Sequence, residues 1–329
     1  MGINFSFFVV LGLVLVAFLG SSAGLTFFFG VIVPYVAVLV FFAGIVYRVL
    51  KWAASPVPFS IPTTAGQQKS LDWVKPNRFD NPTTKGEVVV RMLLEILLFR
   101  SLFRNTKLEL REGPKVLYQW EKWLWLAGLL FHWSFFIVFV RHLRFFMEPV
   151  PFFIKAIEGA DSFLQVGLPV LYMTDVVLLA AVTYLFIRRV VMPSVRYISL
   201  PADYFPLFLI FALALTGVLM RYFTKTDVVG VKEMAMGWVT FNPTVPEGIG
   251  SIFYIHLFLV SVLFAYFPFS KLMHLGGIFL SPTRNLPNNT RMEHYDNPWN
   301  YPVKVHTYDE YEEEFREKMI EAGLPVEKE

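Results

Sequence analysis

Read for the spacing of apolar and polar positions, the chain resolves into long unbroken apolar runs separated by polar stretches. A helix needs about 20 apolar residues to cross roughly 30 Å of hydrocarbon. Six runs meet that length: Ile3 to Gly20, Gly24 to Tyr47, Trp123 to Val140, Phe163 to Ile187, Tyr204 to Met220 and Ile249 to Ser270. The first also has the length of a signal peptide, but it lacks a basic start and is expected to be a true span. Between the second and third runs, Val88 to Leu102 sets Leu and Val against Arg91, Glu95 and Arg100 at helical spacing. That pattern predicts an amphipathic helix, lying on the inner membrane face or packed on a partner. From Ser281 the chain turns polar, and Asp309 to Lys318 reads as an acidic helix stopped before Gly323 and Pro325. No internal repeat is visible, which weakens a transporter built from paired halves.

Composition agrees. Of 329 residues, 55% are hydrophobic and 17% charged, where a soluble chain carries about a quarter charged. The expected class is an all-α integral membrane protein with about six transmembrane helices. Its expected divisions are two N-terminal helices (1–50), a basic loop with an amphipathic helix (51–122), a four-helix domain (123–280) and a polar tail (281–329). A net charge of +3 gives no footing for a nucleic-acid partner, and the partner of these spans is the lipid bilayer. The absence of cysteine excludes disulfides, thiol catalysis, cysteine-ligated iron–sulfur clusters and thioether-linked haem on this chain.

Lys and Arg gather between spans two and three, from Lys51 to Lys122, and again at Arg188, Arg189 and Arg196. The positive-inside bias then places both termini in the cytoplasm and the chain in the cytoplasmic membrane as a multi-pass protein. Arg141, Arg144 and Arg221 lie at outer helix ends against this trend and call for local anionic partners.

Of six histidines, His294 and His306 lie in the polar tail. The other four, His132 and His142, His256 and His274, occupy spans three and six. Ionisable groups at membrane depth are costly and mark function. Neutral imidazole suits haem iron, copper or zinc, and no thiolate or carboxylate accompanies these four. Two bis-histidine haems b fit best. Because the two spans run in opposite directions, His132 shares a leaflet with His274, and His142 with His256. This pairing puts one haem toward the cytoplasm and one toward the outside. The separations of ten and eighteen residues amount to about 15 and 27 Å of helix, so the Pro268 kink and helix tilt must absorb the difference. Arg141 and Arg144, flanking His142, are candidates for pairing with haem propionates, against the plainer reading of snorkelling to lipid phosphate.

The stretches FHWSFFIVFVRHLRFFMEP (Phe131 to Pro149) and YIHLFLVSVLFAYFPFSKLMHL (Tyr254 to Leu275) resemble the haem-binding helices of the respiratory nitrate reductase gamma subunit family. With its added N-terminal helices and basic inner loop, the chain is most similar to one branch, the cytochrome b subunits of the membrane complex of dissimilatory sulfate reduction. The resemblance implies two haems b, oxidation of menaquinol, and electron delivery to a cytoplasmic iron–sulfur subunit related to heterodisulfide reductase. Periplasmic cytochrome c, periplasmic iron–sulfur and second membrane subunits accompany such chains. Lys155 and Asp175 are the candidate quinol-site residues, although Lys155 falls at a different distance from the ligand than the family's quinone-site lysine.

Two other functions stay open. One is the same cytochrome working as a quinone reductase. The other is a redox-inactive transporter or anchor whose histidines relay protons, with Asp175 as its best feature or else merely hydrogen-bonded to a neighbouring helix. The partner surface is expected on segment 69–122 and the tail, where NPWNYPVKVHTYDEYEEEF offers Trp299, Tyr301 and Tyr308 as anchors.

Overall fold

A computed structural model of the chain describes residues 2–55, 69, 72–113, 115–164, 169–289 and 305–327. Helix α1 (Gly2–Ser22) is followed by a π-helical turn (Phe28–Ile32) that runs into α2 (Val33–Ala53). The segment between α2 and the next long helix contributes α3 (Lys85–Leu98), α4 (Arg100–Phe103) and a two-stranded antiparallel hairpin, β1 (Thr106–Arg111) and β2 (Lys115–Trp120). Next come α5 (Lys122–His142), α6 (Phe152–Asp161), α7 (Met173–Val191), α8 (Pro193–Ile198) and α9 (Pro201–Val218). Helix α10 (Val228–Val239) precedes α11 (Ser251–Tyr266), α12 (His274–Leu280), α13 (Pro282–Asn285) and α14 (Tyr308–Glu321).

Among the described residues, five helices are long and apolar enough to cross a membrane: Gly2–Ser22, Phe28–Ala53, Lys122–Phe146, Pro201–Thr224 and Ser251–Phe269. They coincide with five of the six expected spans. The remaining expected span, Phe163 to Ile187, is not among them: α7 begins at Met173 and ends at Val191. Residues 165–168 lie outside the described set, and Pro169 cannot continue a helix from α6. Instead, Asp161 at the end of α6 accepts from the Thr174 backbone N–H at 2.9 Å, which satisfies one free donor of the new helix. Helix α7 is 19 residues long, about 28 Å, with Asp175 near one end and Arg188 and Arg189 near the other.

The core lies where α1, α7, α9 and α11 meet, around Val10, Ala17, Val182, Leu209, Leu213, Leu259 and Leu263. On the outward faces, large apolar side chains such as Phe8, Leu39 and Phe42 remain exposed, as expected of surfaces that lipid covers. Ser6 donates to the Pro201 carbonyl at 3.0 Å, so the start of α1 and the start of α9 share one face. On the opposite face, Tyr35 donates to the Trp238 carbonyl and the Trp238 indole donates to the Gly30 carbonyl, tying α10 to the α1–α2 turn.

The amphipathic helix ends at Leu98, earlier than its pattern predicts. Phe99 takes a left-handed conformation (φ 50°) and closes the helix, with its N–H bonded to the Glu95 carbonyl. The charged residues Arg91 and Glu95 are buried, whereas Val89, Val90, Leu93 and Leu97 are exposed. The apolar stripe therefore points away from the rest of the chain. The hairpin was not expected in an all-α reading. Its signal is short: Leu108 faces Tyr118 and Leu110 faces Val116 across a turn at Gly113 (φ 82°).

Pro268 breaks the last span as its position implies. After Tyr266 come two 3₁₀ turns, Phe267–Phe269 and Lys271–Met273, with Ser270 extended between them. Gly44 lets α2 approach this break. A Cβ at position 44 would lie 2.7 Å from the Pro268 Cβ and 2.9 Å from the Phe269 ring. Gly44→Ala should therefore overpack this contact and destabilise the protein by about 1–3 kcal/mol. Thermal unfolding in detergent checks it, and an unchanged midpoint would show that α2 does not brace the break.

Candidate functional site

Helix α5 carries His132 in its middle and His142 as its last residue. The ring Nδ1 of each lies 2.7 Å from the carbonyl one turn back, Gly128 for His132 and Val138 for His142. His274 repeats the arrangement at the start of α12, with Nδ1 2.9 Å from the Lys271 carbonyl. A carbonyl only accepts, so Nδ1 must hold the proton in all three. His256 on α11 differs: its Nδ1 lies 2.9 Å from the Thr216 hydroxyl on α9. That hydroxyl also lies 2.8 Å from the Ala212 carbonyl, and donating there leaves its oxygen free to accept from Nδ1. In each ring, Nε2 then keeps its lone pair and points away from its own anchor.

The rings meet in the expected combination. His132 and His274 have ring centroids 5.9 Å apart, and His142 and His256 6.4 Å apart. Two imidazoles on opposite sides of one iron, with metal–nitrogen bonds of about 2 Å, place their centroids roughly 6 Å apart. The break after Tyr266 reconciles the unequal spacings, because the chain turns between His256 and His274 and does not climb one straight helix. Among the described residues, no group of three or more His, Cys, Asp or Glu is placed to hold a metal ion. A closed tetrahedral ion takes four protein donors. A pair supplies two, as many protein donors as a haem iron would need beyond its macrocycle. The residues present fit that group at both places, and His132, His142, His256 and His274 could hold it.

Aromatic rings line the inner pair. Phe99 and Phe131 stand edge-on to His132 at 4.9 and 5.1 Å between centroids. The indoles of Trp125 and Trp133 donate to the Leu98 and Leu97 carbonyls, capping α3 against α5.

Beside the outer pair lies a polar network. Buried Arg141 pairs with Asp175 on α7 and with Asp161 at 3.3 Å. Tyr222 donates to Asp175 at 2.9 Å and accepts from the Tyr172 N–H at 2.9 Å. Arg144 pairs with Glu158 at 2.9 Å. Arg141 and Arg144 thus have the anionic neighbours that their positions call for. Arg221 departs from that expectation: it donates to the Val170 carbonyl at 3.0 Å and stacks over Tyr172, with no carboxylate among the described residues in ion-pair contact. The Tyr172 ring lies within 3.7 and 4.1 Å of the Arg141 and Arg221 guanidinium carbons. Asp175 joins this network, whereas Lys155 is exposed on α6. Lys155 acts toward Glu148, whose carboxyl is held below its usual range by a hydrogen bond from Lys232, with Lys155 a lesser contributor. Of the tail anchors, Tyr308 is exposed, and Trp299 and Tyr301 lie outside the described residues, as does His294. His306 lies 3.7 Å from Glu314, within the tail.

Asp161, Thr216, Tyr172 and Tyr222 were not anticipated. Each is an ordinary polar residue in or beside an apolar run, and only the folded chain shows which histidine or arginine it meets.

A family model described as nitrate reductase gamma subunit matches residues 95–289, more than half of the chain. A protein of Archaeoglobus fulgidus named "Hdr-like menaquinol oxidoreductase cytochrome b-like subunit" is 48% identical over 278 residues, covering 82% of this chain and 83% of its own. A protein of the same name from Archaeoglobus profundus is 42% identical over 273 residues, 81% of each chain. With two facing histidine pairs, set by α5 on one side and by α11 and the start of α12 on the other, and these matches along most of its length, the chain belongs to the nitrate reductase gamma subunit family, in the branch that includes these two archaeal relatives.

Proposed function

We propose that the chain is the dihaem cytochrome b subunit of a quinol oxidoreductase complex in the cytoplasmic membrane. It oxidises menaquinol beside the outer pair and passes electrons inward to a cytoplasmic iron–sulfur subunit related to heterodisulfide reductase, in sulfur or sulfate respiration. Both termini are cytoplasmic. Periplasmic cytochrome c, periplasmic iron–sulfur and second membrane subunits complete the complex. The observation that carries this reading is the pairing of four anchored imidazoles at two depths of one bundle. The names of the two archaeal relatives support its coarser part, a menaquinol-linked cytochrome b-like membrane subunit.

Held by each pair, haem b would supply one-electron transfer. The protein's part would be to present the four Nε2 atoms. The Gly128, Val138 and Lys271 carbonyls and the Thr216 hydroxyl fix the rings and raise the basicity of Nε2. The two sites are about 15 Å apart along α5, one at each side of the bilayer. On the outer side, quinol gives up two protons with its two electrons. Asp175, between Arg141 and the Tyr222 hydroxyl, is the carboxylate placed to take them one at a time and release them outward. Arg141 keeps Asp161 as a second counter-ion while Asp175 is protonated. Arg141 and Arg144, which flank His142, would also be the residues to pair with propionates of a haem held there, and Lys155 is the remaining candidate near the quinol.

Removing His142 or His256 should abolish the same b-type spectral component, and removing His132 or His274 the other. Reduced-minus-oxidised spectra of the four alanine variants decide this, and loss of different components within one pair would refute the pairing. Wild-type protein from haem-replete cells should hold close to two noncovalent haems per chain.

Asp175→Asn should lower quinol-driven haem reduction by about 10²-fold, the lower end of what a positioned base contributes. Dithionite should still reduce both haems in that variant, and unchanged quinol kinetics would remove Asp175 from the site.

Truncation after residue 304 should leave both haems reducible by quinol while slowing their reoxidation by the iron–sulfur subunit. Unchanged co-purification and reoxidation would show that residues 305–329 are not the dock.

A further inference from the structure

The inner face of the bundle holds a cluster of charges in which, among the described residues, one guanidinium has no carboxylate in ion-pair contact and two nitrogens without a hydrogen bond. Asp80 is taken by Arg100 and Arg104. Burial alone would raise its carboxyl, but these two guanidiniums outweigh burial and hold it below the usual range. Glu95 accepts from the Ser101 N–H at 3.1 Å and from the Ser101 hydroxyl, and Arg284 lies 3.4 Å away. Both carboxylates are therefore engaged. Arg91, one turn before Glu95, is only 7% exposed, and its Nε and Nη1 atoms have no hydrogen-bond partner. Among the described residues, no carboxylate lies within ion-pair distance of it. A buried guanidinium without a counter-ion is unfavourable, and an anion brought to it would be held firmly.

The surroundings narrow what that anion can be. On the aqueous side, α13 packs against α3, and the Asn288 N–H donates to the Pro82 carbonyl at 2.7 Å. Open access for a docked protein or a lipid headgroup is therefore reduced from that side. Along its own helix, Arg91 lies eight residues before Phe99, about 12 Å, and Phe99 stands against His132. The Trp125 and Trp133 indoles fix this end of α3 on α5, on either side of His132 in the sequence. The anionic groups of a haem b held by His132 and His274 are its two propionates, which extend from the macrocycle edge.

We propose that Arg91 holds a propionate carboxylate of the inner haem. This rests on the haem reading above and extends it to a residue outside the segment that the family model matches. The amphipathic helix then serves as a clamp: its apolar stripe faces away, and its buried charged face serves the haem.

The test uses full-length protein purified with its haems, following content and midpoint potential of each b-type component. The inner one is identified by its loss in His132→Ala. In Arg91→Gln, the inner component should shift to lower potential and be lost several-fold faster on detergent washing, because a positive charge that favours the reduced haem is gone. The outer component should not move. Arg91→Lys should shift the inner potential in the same direction by less, since it keeps the charge without the planar fork. Arg100→Gln, which removes a guanidinium already committed to Asp80, should change neither haem. An unchanged inner potential in Arg91→Gln, or equal shifts in both haems, overturns the proposal. If that variant does not accumulate, an unchanged inner potential in Arg91→Lys overturns it equally. Wild-type protein without haem would instead defeat the haem reading itself.

Discussion

An imidazole placed at membrane depth must give its N–H to some acceptor, because water is not there to take it. In this bundle three of the four histidines solve the problem locally, by bonding to a carbonyl three or four residues back on their own segment. His256 solves it across a helix interface, through Thr216. The choice of acceptor also decides the chemistry. Once Nδ1 is spent, Nε2 is the remaining nitrogen, and its direction is set by the helix and not by a mobile side chain. Two antiparallel segments that each carry two such rings present facing pairs at two depths. The packing of α5, α9 and α11 and the break near Pro268 serve that alignment.

The break shows how backbone irregularity meets this requirement. A straight helix would put His274 roughly 27 Å from His256, far more than the rise between His132 and His142. By turning through Phe267–Met273, the chain keeps both pairs within the reach of one metal each. The turn is held by Ser270, which bonds to the Phe267 carbonyl and accepts from the Leu272 N–H, and by the close approach of α2 at Gly44. Buried irregular backbone is tolerated here because its own polar groups are satisfied.

Charge is handled differently on the two faces. On the outer side, Arg141 and Arg144 find carboxylates on neighbouring elements. On the inner side, the loop between α2 and α5 gathers four guanidiniums (Arg91, Arg100, Arg104 and Arg284) around two carboxylates, Asp80 and Glu95. Guanidiniums thus outnumber carboxylates in this cluster, and the amphipathic helix that carries Arg91 and Glu95 is held by two tryptophan indoles of α5.

How much of this was legible beforehand follows from the kind of signal each feature carries. Long apolar runs determine spanning helices almost by themselves, since the bilayer admits few other solutions, and five of the six appeared where the runs lie. The four histidines were legible because ionisable residues are rare at that depth, and their leaflet pairing followed from antiparallel connectivity. Pro268 announced the break. The start of α7, the partner of His256, the Arg141–Asp175–Tyr222 network and the inward turn of Arg91 were not legible. Each depends on which face of one helix meets which face of another, and a local pattern cannot encode that rotation. Apolar spans have little amphipathic asymmetry to reveal it, because lipid and protein neighbours are equally apolar. In α3 the asymmetry was present but its direction inverted: the charged stripe is buried, and only tertiary packing around Glu95 and Arg284 decided that.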